Sequence, residues 1–257
     1  MSTFSPLIPR AALVTGAARR IGRALALDLA ASGFAVALHH SRSDVEAQAL
    51  AAEIIAGGGR AVPLAADLAC EEQTAGLMAR AEAALGPVGL LVNNASTFER
   101  DEALDATRAS WDLHMEVNLR APFVLAQDFA RRLPAQAQGL IVNLLDQRVW
   151  NLTPHFTTYT LSKAGLWTLT QTLALALAPR IRVAGIGPGP ALASVRQSAA
   201  QFAAQCQGTP LGVGTCPEEI VGALRFILAT PSFTGQMLAL DGGQHLQWAP
   251  GQAPPEE

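Results

Sequence analysis

Charge, aromatic rings and cysteine are all scarce in this 257-residue chain: 15% of residues are charged, 5% are aromatic and three are cysteine. Low charge combined with 50% hydrophobic residues excludes a disordered, self-solvating chain. A formal net charge of −3 gives no basic surface on which to expect nucleic acid or an anionic membrane as partner. Cys70, Cys206 and Cys216 are scattered and odd in number, which argues against a disulfide framework and for a reducing compartment. The first ten residues carry neither a basic n-region nor an apolar h-region, so no signal peptide is expected. No uninterrupted apolar stretch approaches the ~18–20 residues of a membrane span, and the Ala- and Leu-rich run 168–178 reads as a buried helix. The histidines show no metal-ligand spacing. The expectation is a soluble, cytoplasmic protein without metal, nucleic-acid or membrane partners.

Short apolar runs recur at Ala11–Thr15, Ala35–His39, Ala61–Ala65, Leu90–Asn93, Leu140–Leu145, Val183–Ile186 and Met237–Leu240. Their continuous hydrophobicity predicts strands buried on both faces. Helical segments lie between them: Ile21–Ala31, Val45–Ala56, Glu71–Leu85, Ala109–Arg132, Thr157–Ala178 and Pro217–Ala229. Such alternation predicts right-handed βαβ crossovers and a doubly wound parallel α/β sheet of Rossmann type. No linker or composition shift divides the chain, so residues 1–257 read as a single domain with a core over about 11–243 and a frayed, Pro-rich tail at 249–257.

The segment Thr15-Gly16-Ala17-Ala18-Arg19-Arg20-Ile21-Gly22 follows the first strand and opens the first helix. Gly16 suits a tight turn, Gly22 suits close approach of helix and cofactor, and the helix N-terminus offers N–H groups to a pyrophosphate. An ordinary strand–helix turn is the plain alternative. The second strand ends in His39-His40-Ser41-Arg42-Ser43, with no acid to accept from a ribose 2′-OH. Arg42, helped by Ser41, Ser43 and Arg19, can instead pair with a 2′-phosphate, which favours NADPH over NADH. Ser43-x-x-Glu46 also reads as a capping box. Asp67, with Leu68 after the third strand, is placed either to accept from the adenine amino group or to cap a helix. Asn94, Ala95 and Ser96 at the end of the fourth strand, and Pro188-Gly189 at the end of the sixth, are placed against the cofactor at the carboxyl edge of the sheet.

Tyr159 and Lys163 are four apart on a predicted helix and so share one face. A nearby cation favours the phenolate, which brings a phenol that titrates near ~10 towards working pH. Together, Thr15-Gly16 through Gly22, Asn93-Asn94-Ala95, Asn118, Tyr159-x-x-x-Lys163 and Pro188-Gly189 resemble the short-chain dehydrogenase/reductase superfamily across about Ala11 to Gly243. That resemblance implies a seven-stranded parallel sheet, and a homodimer or homotetramer formed through the helices around Ala109–Arg132 and Thr157–Ala178. Three positions depart from the common pattern: Arg20 at the middle glycine of the loop, Ser96 after Asn93-Asn94-Ala95, and Asp146 where a serine is usual. With the His-Ser-Arg-Ser strand end, these departures resemble the pteridine reductases and bacterial dihydromonapterin reductases. In that subfamily the residues matching Arg20, Ser96, Phe98, Asp146, Tyr159 and Lys163 bind and reduce a pterin, with Phe98 stacked on its face.

An ionised aspartate cannot donate a hydrogen bond and repels a developing oxyanion, so a ketone fits Asp146 poorly. The N–H and NH₂ groups of a nitrogen heterocycle fit it better. The expected reaction is hydride transfer from NADPH to a dihydropterin ring carbon. Asp146 and Tyr159 act as a coupled acid pair, Lys163 holds the nicotinamide ribose and Asn118 positions a water chain. Asp146 could alternatively bind loop N–H groups, and Phe98 could simply pack. The other functional readings are reduction of a different carbonyl or imine, and a non-catalytic NADPH sensor. Residues 191–214, mostly Ala, Gln and Gly, are expected to cover the substrate, and Trp248 to reach a neighbouring subunit's site.

Overall fold

The computed structural model describes residues 4–194 and 196–246, so the readings placed on Trp248 and on the tail 249–257 lie outside the described residues. Seven parallel strands form one sheet: β1 (Ala11–Val14), β2 (Ala35–His40), β3 (Arg60–Ala65), β4 (Leu90–Asn93), β5 (Gly139–Leu144), β6 (Ile181–Pro188) and β7 (Met237–Leu240), in the order β3-β2-β1-β4-β5-β6-β7. Strand β6 runs past its expected end because Gly185–Pro188 pair with β7.

Helices α1 (Arg20–Ala31), α2 (Asp44–Ala56) and α9 (Pro217–Ala229) cover one face, and α4 (Leu77–Leu85), α6 (Ala121–Arg132) and α7 (Thr157–Ala176) cover the other. The two-residue period of a strand sorts its side chains between these layers. Val14, Leu38, Val92 and Val142 pack with Leu25, Leu50 and Leu224, whereas Leu13, Ala37, Leu91 and Ile141 pack with Met78, Leu125 and Phe129. Both faces are therefore dry, and side chains that do polar chemistry are left to the strand ends.

One helix expected to be continuous is divided, and another runs through a π-helical turn. Segment 71–85 divides at Gly76 into α3 (Glu71–Ala75) and α4. The predicted helix 109–132 is α5 (Arg108–Met115), a π-helical turn at Glu116–Arg120 and α6. A ninth helix, α8 (Ala199–Gln207), lies within the segment expected to cover the substrate. Among the described residues no helix is long and apolar enough to cross a membrane, and the three cysteines are free.

The strand order reverses between β1 and β4, and the β1–α1 turn is built there. Gly16 has φ +62°. A Cβ on Gly22 would lie 2.1 Å from the Gly16 carbonyl oxygen and 2.6 Å from Asn94 Nδ2, so the turn itself and Asn94 both require a glycine there. His39, 2% exposed, ties the turn to β3. Its Nδ1 accepts from Gly16 N–H at 3.1 Å and its Nε2 lies 3.1 Å from the Ala66 carbonyl, which fixes the neutral tautomer with the proton on Nε2. Burial, with His40 and Arg80 assisting against the Ala66 bond, pushes its pKa down from 6.5 to about 4.

Two outcomes follow from this packing. Because the unfolded histidine takes its proton at higher pH, the neutral ring's contribution is full above 6.5 and is lost as pH falls through about 4. The loss amounts to about 3 kcal/mol. Urea unfolding at about pH 7.5 and about pH 4.5 should show this dependence, and His39→Asn, which does not titrate, should flatten it. Gly22→Ala should lower stability by about 1–3 kcal/mol in the same assay, because a backbone carbonyl must move.

Candidate active site

Tyr159 is the chain's single tyrosine and Lys163 its single lysine. Both project from α7 towards the carboxyl ends of β4 and β5 and are buried, at 6% and 2% exposure. Tyr159 Oη donates to Asp146 Oδ2 at 2.9 Å, closing the pair that lies thirteen residues apart in sequence. Asp146 Oδ1 accepts from the Arg148 N–H at 2.8 Å and caps the 3₁₀ turn Gln147–Val149. The two readings of Asp146 thus hold together, one oxygen serving the loop and the other facing the phenol.

Lys163 Nζ donates to the Leu144 carbonyl at 2.8 Å and lies 5.8 Å from the centre of the Tyr159 ring. Burial pushes its pKa down to about 8, against the opposing pull of Asp146. The group remains an ammonium at neutral pH but holds its proton less firmly than a solvated lysine.

Asn118 is held in the π-helical turn, a local widening of the helix that turns its amide inward. Its Nδ2 donates to the Thr97 carbonyl and to Ser162 Oγ, both at 3.0 Å, and its Oδ1 accepts from Thr97 N–H at 2.9 Å and Ser96 Oγ at 3.2 Å. The side chain is thus committed to protein partners. Asn118 binds the 96–97 segment to α7 and in that way sets the place of Ser96.

Phe98 is part of an aromatic stack. Its ring lies 4.4 Å from that of Phe156 at 8° and meets Tyr159 edge-on at 4.6 Å. One face is therefore packed, as the plainer reading expects, and an arginine lies over the ring as well. Arg196, the single charged residue in 191–214, lies 5.9 Å from the Phe98 ring centre and binds the Phe98 carbonyl and Glu99. Arg20 donates to the Leu192 and Ala193 carbonyls at 3.1 and 2.9 Å. It keeps the positive φ (+54°) of a glycine, a conformation that costs a side-chain residue about 1–3 kcal/mol and marks the site as over-determined by its surroundings.

At the dinucleotide end, α1 begins with no side-chain cap and no acid in its first turn, which leaves its N-terminus open to an anion. Asn94 donates to the Thr15 and Gly16 carbonyls at 2.8 and 3.1 Å, and Thr15 Oγ1 accepts from the N–H of Asn94 and Ala95. Ser41 and Arg42 are exposed, and Arg42 has no ion pair among the described residues. Arg19 lies 3.7 Å from Glu46. The predicted capping box is not formed: Ser43 makes no side-chain cap bond, its backbone standing at φ −103°, ψ 53°. His40 is buried, with Nε2 3.7 Å from Asp44, and does not share the exposed edge with Arg42. Asp67 caps no helix, since Cys70 holds that place for α3; its Oδ1 accepts from the Ala69 N–H at 3.0 Å. Leu68 is buried beside it, Ile21 is half-buried at the start of α1, and Pro188 and Gly189 are half-buried at the end of β6. A Cβ on Gly189 would meet Asp241 at 2.8 Å.

The sequence reading passed over two contributors. His39 reads in sequence as part of a strand end, and its place as a histidine inside an otherwise apolar strand is the available signal. Asp101 carries none, because its partner Thr158 lies 57 positions away.

Residues 10–203 match the family model described as short chain dehydrogenase. The chain is 47% identical to the crystal structure of FolM alternative dihydrofolate reductase 1 from Brucella canis complexed with NADP, with a TM-score of 0.92 over 96% of this chain and 98% of that one. It is 32% identical over 244 residues to a 3-oxoacyl-[acyl-carrier-protein] reductase of Synechocystis sp., covering 93% of this chain and 98% of the relative. It is 34% identical over 250 residues to an L-rhamnose 1-dehydrogenase (NAD(P)(+)) of Azotobacter vinelandii, covering 92% and 97%. With the Tyr159–Lys163 pair facing Asp146 at the carboxyl edge of a seven-stranded parallel sheet, these matches establish that the chain belongs to the short-chain dehydrogenase family.

Proposed function

We propose that this protein is an NADPH-dependent reductase of a pterin-type ring, a dihydropterin or a dihydrofolate. The observation that carries the reading is the 2.9 Å bond from the Tyr159 phenol to Asp146. A carboxylate at this place accepts from ring N–H and exocyclic NH₂ donors, which a pterin presents and a simple ketone lacks. The likeness to the Brucella canis protein, whose description names dihydrofolate reductase and NADP, supports the same reading. The relatives named for acyl-carrier-protein and sugar substrates are 32% and 34% identical and carry differing substrate names, and so do not discriminate on substrate.

The residues present fit a phosphorylated dinucleotide. The uncapped N-terminus of α1 is suited to the pyrophosphate, and exposed Arg42 with Ser41 and Ser43 to the 2′-phosphate. Asn94, Ala95, Pro188 and Gly189 border the nicotinamide end. When bound, the nicotinamide supplies the hydride. The ring nitrogen beside the reduced carbon takes a proton at the same time, and the Asp146–Tyr159 pair holds that proton at the phenol oxygen, poised between two acceptors. The buried Lys163 ammonium steadies the negative charge left on the pair. Ser96, Arg20 and Phe98 border the substrate, and the segment 191–214 covers it. We further assign a cytoplasmic location and a homodimeric or homotetrameric assembly. Trp111 and Leu113 on α5 and Leu161 and Leu175 on α7 present an exposed apolar surface for that assembly.

Steady-state NADPH oxidation with dihydropterin and dihydrofolate checks the assignment, and absence of turnover with every pterin would overturn it. Asp146→Ser should damage pterin reduction far more than ketone reduction; equal damage would favour another carbonyl or imine as substrate. Arg42→Ala should raise KM for NADPH roughly 10–100-fold, the loss of one or two charge-assisted hydrogen bonds, and leave KM for NADH nearly unchanged.

A further inference from the structure

Helix α7 starts without a local cap. Its N-cap residue is Phe156, whose side chain makes no cap bond and whose backbone is left-handed at φ +59°, an unusual state for an aromatic residue. The open donors of the first turn are met instead by Asp101, at the end of the 96–101 strap that carries Ser96 and Phe98. The Asp101 carbonyl accepts from Phe156 N–H at 2.9 Å and Thr157 N–H at 3.3 Å, and its Oδ1 accepts from Thr158 N–H at 3.1 Å. An aspartate at this end of a helix also complements the helix dipole.

The same carboxylate terminates a directed chain of hydrogen bonds. Glu99 N–H donates to His114 Nε2 at 3.0 Å, His114 Nδ1–H donates to Thr158 Oγ1 at 2.7 Å, and the Thr158 hydroxyl donates to Asp101 Oδ2. Ser110 Oγ adds a further donor to Oδ2 at 2.9 Å. His114 and Thr158 are 0% and 1% exposed and Asp101 is 5% exposed. Burial pushes the His114 pKa down, which keeps Nε2 an acceptor. Burial pushes the Asp101 carboxyl up, but its bonds from Thr158 and Ser110 outweigh this and leave it ionised, below the usual carboxylate range.

The network joins two pieces that meet in the site. One is the strap with the Phe98 ring, edge-on to Tyr159 at 4.6 Å; the other is the helix turn that carries Tyr159 itself. We infer that Asp101 is a positioning residue, which through Thr158 and His114 locks the substrate-facing strap and the Tyr159 turn into one rigid unit and so sets the phenol against Asp146. The inference rests on the reductase reading for its kinetic test, whereas its spectroscopic test needs no substrate.

The test uses Asp101→Asn, Thr158→Val and Thr158→Ser in the full-length protein, with folding checked by circular dichroism. Asp101→Asn and Thr158→Val should lower kcat roughly tenfold or more through misplacement of the phenol, with the NADPH dissociation constant within about twofold of the parent. Thr158→Ser, which keeps the hydroxyl, should restore kcat. Because Tyr159 is the single tyrosine, tyrosinate absorbance reads its titration without substrate. That titration should move to lower pH in Asp101→Asn and Thr158→Val, as the phenol loses its anionic acceptor. A role confined to stability would lower the thermal midpoint and leave kcat and the tyrosinate curve unchanged. That result, or equal impairment by Thr158→Ser and Thr158→Val, would overturn the inference. Should Asp101→Asn not fold, the two Thr158 variants carry the same comparison. Should the parent turn over no pterin, the reductase reading fails while the tyrosinate comparison still decides the positioning role.

Discussion

A parallel sheet buried on both faces has no dry place for an unpartnered polar group, and this constraint arranges everything else in the molecule. Along β1, β4 and β5 the side chains are apolar until the last residue or two, where Asn93, Asn143 and then Asp146 appear. The two asparagines are buried; Asn93 Nδ2 donates to Asn143 Oδ1 and Asn143 Nδ2 donates onward to Thr170 of α7, at 2.8 Å each, while Asn93 Oδ1 has no protein partner among the described residues. That amide ladder draws the middle of α7 onto β5, and the position of α7 on β5 decides where Tyr159 and Lys163 emerge.

At the emerging end the same dryness shifts the chemistry. An ammonium deprived of water is less strongly held as a cation, hence a Lys163 pKa of about 8. The nearest compensating anion is Asp146, which is also bonded to the phenol. Three groups of unlike charge thus share one small volume, and small changes in separation alter which of them carries the proton. Such a site needs its parts held firmly. Asn118 in the π-helical turn, His39 under the phosphate loop and Asp101 at the head of α7 are each buried, each bonded on two or more sides, and each a tie between segments far apart in the chain.

Much of this was legible in the residue order. Seven apolar runs became seven strands with bounds within a few residues, because a strand buried on both faces must be continuously apolar. Pro217 and Ala229 bound their helix as expected, proline being well placed in a first turn. Gly16 sits at positive φ as its turn requires. The misses are equally physical. Gly76 divides a segment whose composition favours helix. Ser43 has the letters of a capping box but not the backbone angles that direct its hydroxyl inward. Phe98 turned out to share its ring with Phe156, a partner 58 positions on, placed there by the left-handed backbone at Phe156.

The sequence alone determined the layer architecture, the edge of the sheet at which polar residues gather, and the single face of α7 shared by Tyr159 and Lys163. Those features follow from periods of 2 and 3.6 residues and from the few residue types that can end a strand or open a helix. Only the tertiary structure decided which donor meets which acceptor: Tyr159 with Asp146, Gly16 with His39, Thr158 with Asp101. Such pairings depend on strand register and helix placement to within a few tenths of an ångström, and local periodicity carries no information at that scale between residues distant in the chain.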